Sequence, residues 1–346
     1  MTRIIRYLSA LLVFALCACG GGNQRQGGNT VNPTDGTAPS DSSGEPSSST
    51  AEIRPFPLVS VPMVYADNEE AQTEYVLEHY WDAYFAGSGA TSDKTVLGVA
   101  DQELEQALAN YIALLQNQKA QATPEATAPL AKAQKSVRAL FSKIEANPDP
   151  NAYVRLTELV SKYLYDPNSP LRDEDLYLPF AEAAEKSPAT SEDMRAAYSF
   201  EAKACRTNSF GSKVPDIKYC DSRGRKGTLY GVKADYTMLF FSNPGCTACK
   251  DIVNEIVSRG YTERLISGGR LAIVNIYIDE EVSKWRDYLP NYPASWINGY
   301  DYTFQLRSSG TYDIRAIPSL YLLDSQKRVL MKDAPTERVL SYLDRI

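Results

Sequence analysis

The chain has 346 residues, enough for more than one domain, and a formal net charge of -7, so it offers no broadly basic surface for nucleic acid. It holds a single histidine, His79. One imidazole excludes a multi-histidine metal site, and its tyrosine-rich, helix-patterned surroundings point to packing rather than catalysis.

Arg3 and Arg6 precede an apolar run over 7–16 and then Cys17-Ala18-Cys19-Gly20. The run is too short for a membrane-spanning helix and reads as a secretory signal. Leu16-Cys17-Ala18-Cys19 resembles a bacterial lipobox, which implies a signal peptide over 1–18 and a lipid (palmitate-type) anchor on Cys19. An ordinary cleaved signal peptide is the alternative. Residues 19–54 are rich in Gly, Ser, Thr, Asn and Pro and read as a flexible tether with a mean reach of about 30 Å. No acidic cluster follows Cys19, so the expected setting is the cell envelope, on the outer membrane facing the periplasm.

Residues 55–204 read as an all-helical domain. Asp67 and Glu70 form a capping-box pattern before Tyr75, Val76, Tyr80 and Tyr84, and Gly87 and Gly89 stop that helix. Asp101 can cap a second helix with the stripe Leu104, Leu108, Tyr111, Ile112 and Leu115. Further amphipathic segments cover 129–146, 153–165, 173–186 and 191–204, with Asp173 and Ser191 as N-caps. Such stripes bury against one another as a bundle. Nothing in this region has the pattern of a catalytic site; a partner-binding groove is the functional alternative to a plain core with a solvated face.

From Cys205 the pattern changes to an α/β one. Short strands are expected over 214–220 and 228–232 around a turn at 221–225. A buried strand over 238–241 then runs through Asn243, Pro244 and Gly245 into Cys246-Thr247-Ala248-Cys249, which opens a helix over 247–259. A thiol at a helix N-terminus meets unpaired N–H groups and the positive end of the dipole, so Cys246 is the candidate nucleophile and Cys249 its resolving partner. A continuous apolar strand over 270–279 follows, of the kind buried in a parallel sheet. A helix over 280–288, an extended piece over 296–300, a segment over 314–324 that enters a strand directly after Pro318, a strand over 328–332 and a final helix over 336–346 complete the reading.

These residues resemble a thioredoxin-like domain of the membrane-anchored TlpA or ResA type over 211–346. The likeness rests on Phe240-Phe241-Ser242-Asn243-Pro244-Gly245-Cys246-Thr247-Ala248-Cys249-Lys250, the strands that follow, and Arg315-Ala316-Ile317-Pro318-Ser319-Leu320. The whole chain is similar to bacterial lipoproteins in which a helical domain of unassigned function precedes such a domain. The resemblance implies that Cys246 attacks a substrate disulfide, that Cys249 resolves it, and that Pro318 is cis and holds its loop beside the sulfurs. It also implies that Ile317 offers its backbone to an extended substrate segment, with Pro244 and Gly245 alongside. No cofactor or metal is expected; the partners are protein disulfides, an electron donor and the membrane.

Two departures stand out. The buried acid that serves the resolving thiol in thioredoxins falls on Phe240, leaving Asp235 or Asp279 as stand-ins. Cys205 and Cys220 are expected to form a structural disulfide, closing a loop of about 15 residues worth roughly 3 kcal/mol; free thiols or a relay to Cys246 are the alternatives. The expected function is a membrane-tethered thiol-disulfide oxidoreductase that reduces protein disulfides in the periplasm through the Cys246/Cys249 couple. The alternative is a non-enzymatic lipoprotein using the same fold as a scaffold.

Overall fold

In the computed structural model, residues 53–346 are described. The expected signal peptide, Cys19 and most of the expected tether lie outside the described residues.

The first part is helical: α1 (Glu69–His79), α2 (Asp82–Ala86), α3 (Asp101–Lys119), α4 (Ala128–Ala146), α5 (Pro150–Leu164), α6 (Glu174–Lys186) and α7 (Glu192–Arg206). The stripe expected on α3 is buried throughout, as are Val137, Leu140, Phe141 and Ile144 of α4, and they share one core with Leu156, Phe180 and Tyr198. Asp173 and Ser191 cap α6 and α7 as expected, accepting from Leu176 and Met194 N–H. The first cap is Asn68 rather than Asp67: its side chain accepts from Ala71 N–H at 3.0 Å. Asp101 begins α3 but does not cap it, and its carboxylate takes Arg155 at 2.6 Å instead.

This region is not purely helical. A small antiparallel pair, β1 (Thr95–Val96) and β2 (Val99–Ala100), is joined by Leu97 and Gly98, both at positive φ. Two residues at positive φ make the turn that suits a two-residue hairpin. Strands this short carry no periodicity, and so left no mark in the pattern.

The second part is a mixed sheet of seven strands: β3 (Lys218–Asp221), β4 (Lys226–Thr228), β5 (Tyr236–Phe241), β6 (Leu271–Tyr277), β7 (Ile297–Tyr300), β8 (Ser319–Asp324) and β9 (Val329–Met331). Their order is β4-β3-β7-β6-β5-β8-β9, with β5, β6 and β7 mutually parallel and β8 antiparallel to β5. The helices are α8 (Thr247–Ser258), α9 (Gly260–Ser267), α10 (Val282–Tyr288) and α11 (Thr336–Leu343). Along β5, Met238 and Phe240 face one core while Leu239 and Phe241 face the other. Burial on both faces is why this strand is apolar without alternation. Residues 229–231, expected in a strand, form a 3-10 turn capped by Thr228.

Polar side chains join the two parts. Lys332 Nζ donates to the carbonyls of Ala204 and Thr207 at 2.8 and 2.7 Å and lies 2.6 Å from Glu174. Arg338 pairs across the seam with Asp173 at 3.0 Å, a carboxylate that Lys119, within the helical part, also meets at 2.6 Å. Arg172 Nε donates to the Asp333 carbonyl at 2.6 Å.

Candidate active site

The parallel strands β5 and β6 end at one edge of the sheet, and the turn after β5 carries the cysteines. Ser242 anchors that end: its hydroxyl donates to Asn275 Oδ1 at 2.6 Å and lies 3.0 Å from the Tyr292 hydroxyl. The chain then reverses, Cys246 N–H donating to the Asn243 carbonyl at 3.3 Å. Gly245 has φ 78°, a conformation that favours glycine because it has no Cβ.

Cys246 is the N-cap of α8 and is joined to Cys249 as a disulfide, with the Cα atoms 5.2 Å apart. Its sulfur accepts the Cys249 N–H at 3.1 Å. Cys246 is partly exposed, whereas Cys249 is buried within the core that contains Phe240, Val253 and Leu320. One sulfur can therefore be reached from solvent, while the other is reached through it. Opposite the cysteine turn, Ser319 of β8 pairs with Phe241, the last residue of β5. The Ile317-Pro318 peptide, immediately before it, is cis. Ile317 is half-buried and packs against both sheet cores; Pro244 is half-buried and Gly245 exposed.

The stand-in acids separate by position. Asp235 precedes β5 at the far end and pairs with Arg270 at 3.4 Å, so a strand of about 20 Å lies between it and the cysteines. Asp279 lies at the cysteine end, where Asn243 Nδ2 donates to it at 2.8 Å and Arg307 pairs with it. That carboxylate holds the turn and is already occupied by a cation. Phe240 itself is fully buried and meets Trp296 edge-on, with ring centroids 6.4 Å apart.

Cys205 and Cys220 do not form the expected disulfide; both are free and buried. Cys205 belongs to the helical core, next to the carbonyls that Lys332 holds just beyond β9. Cys220 lies in β3, five strand positions from β9 across the sheet, on the order of 24 Å at about 4.8 Å per strand. A disulfide needs Cα atoms within about 7 Å, so proximity in sequence misled here. Burial pushes the Cys205 thiol well above the ordinary cysteine range, which keeps it protonated and inert. His79 stacks on Tyr75 at 4.2 Å and meets Asp82 at 2.7 Å. Among the described residues, no three His, Cys, Asp or Glu side chains converge as a metal site.

Residues 35–208, half of the chain, match the family model described as a domain of unknown function, DUF5106. A crystal structure of a thioredoxin-like protein from Bacteroides caccae is 34% identical, covers 85% of this chain and 99% of its own, and superposes with a TM-score of 0.69. The chain belongs to the thioredoxin-like family, in the group with an N-terminal DUF5106 domain. The C-terminal domain of an uncharacterized protein from Bacteroides fragilis is 38% identical to this thioredoxin-like chain over 40% of it and 99% of that domain, with a TM-score of 0.39. No curated protein matches. The DUF5106 match accounts for the helical part, and the thioredoxin-like part carries the cysteine pair.

Proposed function

We propose that this protein is a thiol-disulfide oxidoreductase acting on protein disulfides through Cys246 and Cys249. The observation that carries the reading is the asymmetry of the pair: Cys246 reachable at the start of α8 with an N–H aimed at its sulfur, Cys249 buried behind it. In the reducing direction, the Cys246 thiolate attacks one sulfur of a substrate disulfide. A mixed disulfide forms and the other substrate sulfur leaves as a thiolate, which takes a proton. Cys249, losing its proton, then attacks Cys246 Sγ; the intramolecular disulfide closes and the second substrate thiol departs. Two electrons pass to the substrate, and an external dithiol reductant must return them. Ile317 and the adjoining backbone offer hydrogen bonds to an extended substrate segment.

The lipobox-like sequence at Cys19 supports placing this activity at the membrane, in the periplasm, with the tether giving reach. The test is substitution. Cys246→Ser abolishes reduction of insulin disulfides, and Cys249→Ser accumulates a mixed disulfide with substrate. Full activity in Cys246→Ser refutes the mechanism.

A further inference from the structure

The loop that enters β8 is gripped by the helical part, and the grip is concentrated on one side chain. Arg315 stands two residues before Ile317, in the loop that faces the cysteine turn. Its Nη1 donates to the Tyr165 carbonyl at 2.7 Å, and its Nη2 to Glu174 Oε1 at 2.8 Å and Asp333 Oδ2 at 3.3 Å. The guanidinium carbon also lies over the Tyr165 ring, 4.1 Å from its centroid. Two of the three acceptors and the ring belong to the helical part. Tyr165 is itself fixed, stacked on Tyr177 at 4.8 Å, and Tyr177 is stacked on Phe180 in the helical core at 5.8 Å. Glu174 is fixed from its other oxygen by Lys332. An arginine with most of its donors occupied and a ring against its face has little rotamer freedom left, so the backbone it springs from is held too.

We propose that the DUF5106 region positions the substrate-facing loop of the thioredoxin-like fold, with Arg315 as the positioning residue and Tyr165 and Glu174 as its seat. The proposal rests on the oxidoreductase reading for its consequence, but the positioning is measurable without it. A loop offering backbone hydrogen bonds to an extended segment works only while its register against the cysteines is kept, and misplacement costs rate steeply. Small reagents that attack Cys246 alone need no such loop.

The experiment compares the full chain with Arg315→Ala, Arg315→Lys and Glu174→Gln, and with Arg338→Ala as a control that breaks the same seam at Asp173 without touching the loop. In Arg315→Ala, hydrogen exchange at the amides of Ser319 and Leu320, where the loop joins β8 against β5, should quicken about tenfold. Its kcat/KM for a peptide disulfide should fall about tenfold, mostly through KM, while iodoacetamide alkylates Cys246 within about twofold of the wild-type rate. Arg315→Lys should recover part of the exchange protection, and Arg338→Ala should change neither quantity. Should Arg315→Ala fail to fold, Glu174→Gln carries the same test with a smaller shift in the same direction. Unchanged loop exchange in Arg315→Ala and Glu174→Gln overturns the proposal, as does an equal loosening in Arg338→Ala. A wild-type protein that exchanges no disulfide refutes the oxidoreductase reading, while the hydrogen-exchange comparison still decides the positioning.

Discussion

The Cys249 backbone N–H donates to Cys246 Sγ across 3.1 Å, within the first turn of α8. In the reduced protein that donor and the helix dipole favour the thiolate over the thiol. Alkylation of Cys246 should therefore titrate with a midpoint below the ordinary value of about 8.5. Cys249→Ser keeps the N–H and should keep the midpoint. Rates of iodoacetamide modification against pH measure this, and a midpoint at or above that of a free cysteine contradicts it.

Phe240 stands at the position where the resemblance to thioredoxins would place a buried acid, and it serves the core instead. It is fully buried and packs in the same cluster as Cys249 and Trp296. Phe240→Ala should cost about 3–5 kcal/mol, the sum of lost transfer energy and a residual cavity. Phe240→Asp should cost at least as much, since it adds an unpaired charge in an apolar site. Denaturant unfolding gives both numbers; a loss under about 1 kcal/mol for Phe240→Ala would mean that the site collapses around the gap.

Asp173 and Glu174 are neighbours at the start of α6 and titrate in opposite senses. At Asp173, burial would raise the pKa, but Lys119 and Arg338 outweigh it and hold the carboxyl below its ordinary value. At Glu174, burial prevails over Lys332 and Arg315 and pushes the group up to about 7. The depressed group stabilises the fold above its ordinary pKa of 3.8, and that contribution is lost as pH falls through the folded value. The raised group's contribution is complete below 4.5 and is lost as pH rises through about 7. Asp173→Asn keeps a capping side chain but strips a buried ion pair, so it should cost about 3 kcal/mol at neutral pH and less in acid. Relative to Glu174→Gln, the wild type should lose on the order of 3 kcal/mol of stability between about pH 4.5 and about pH 7. Urea unfolding across that window tests both, and a pH-independent difference for Glu174→Gln contradicts the second.

Cys205 and Cys220 should remain thiols while the Cys246–Cys249 bond is intact. Unfolding the oxidised protein without reductant, alkylating and mapping peptides should label Cys205 and Cys220 fully and leave Cys246 and Cys249 unlabelled. In the native state Cys205, fully buried, should resist the same reagent. Protection of both in the unfolded chain would contradict the separation across the sheet.

Much of this fold is legible in the sequence because burial is two-sided in β5 and β6 and one-sided in α3 to α6, so periodicity and continuous apolar runs report it directly. Cys246 and Cys249 are legible because they follow a turn and open a helix, whereas Pro318 is legible only through the resemblance of Arg315-Ala316-Ile317-Pro318-Ser319 to thioredoxins. The hairpin at Leu97 and Gly98 is too short to leave a pattern. The separation of Cys205 from Cys220 depends on strand order, which no local signal carries. The hold on Arg315 is likewise tertiary, since Tyr165 and Glu174 lie far upstream and read as ordinary helix-end residues.

The central claim, that Cys246 and Cys249 form a working redox couple, is tested most directly by equilibrating the full chain with glutathione or dithiothreitol buffers and counting alkylated Cys246. A single two-electron transition between about -270 and -120 mV is the result expected, with the position in that span showing whether the protein gives or takes electrons. A disulfide that stays closed until the buffer is poised below about -300 mV would mark the bond as structural and contradict the account.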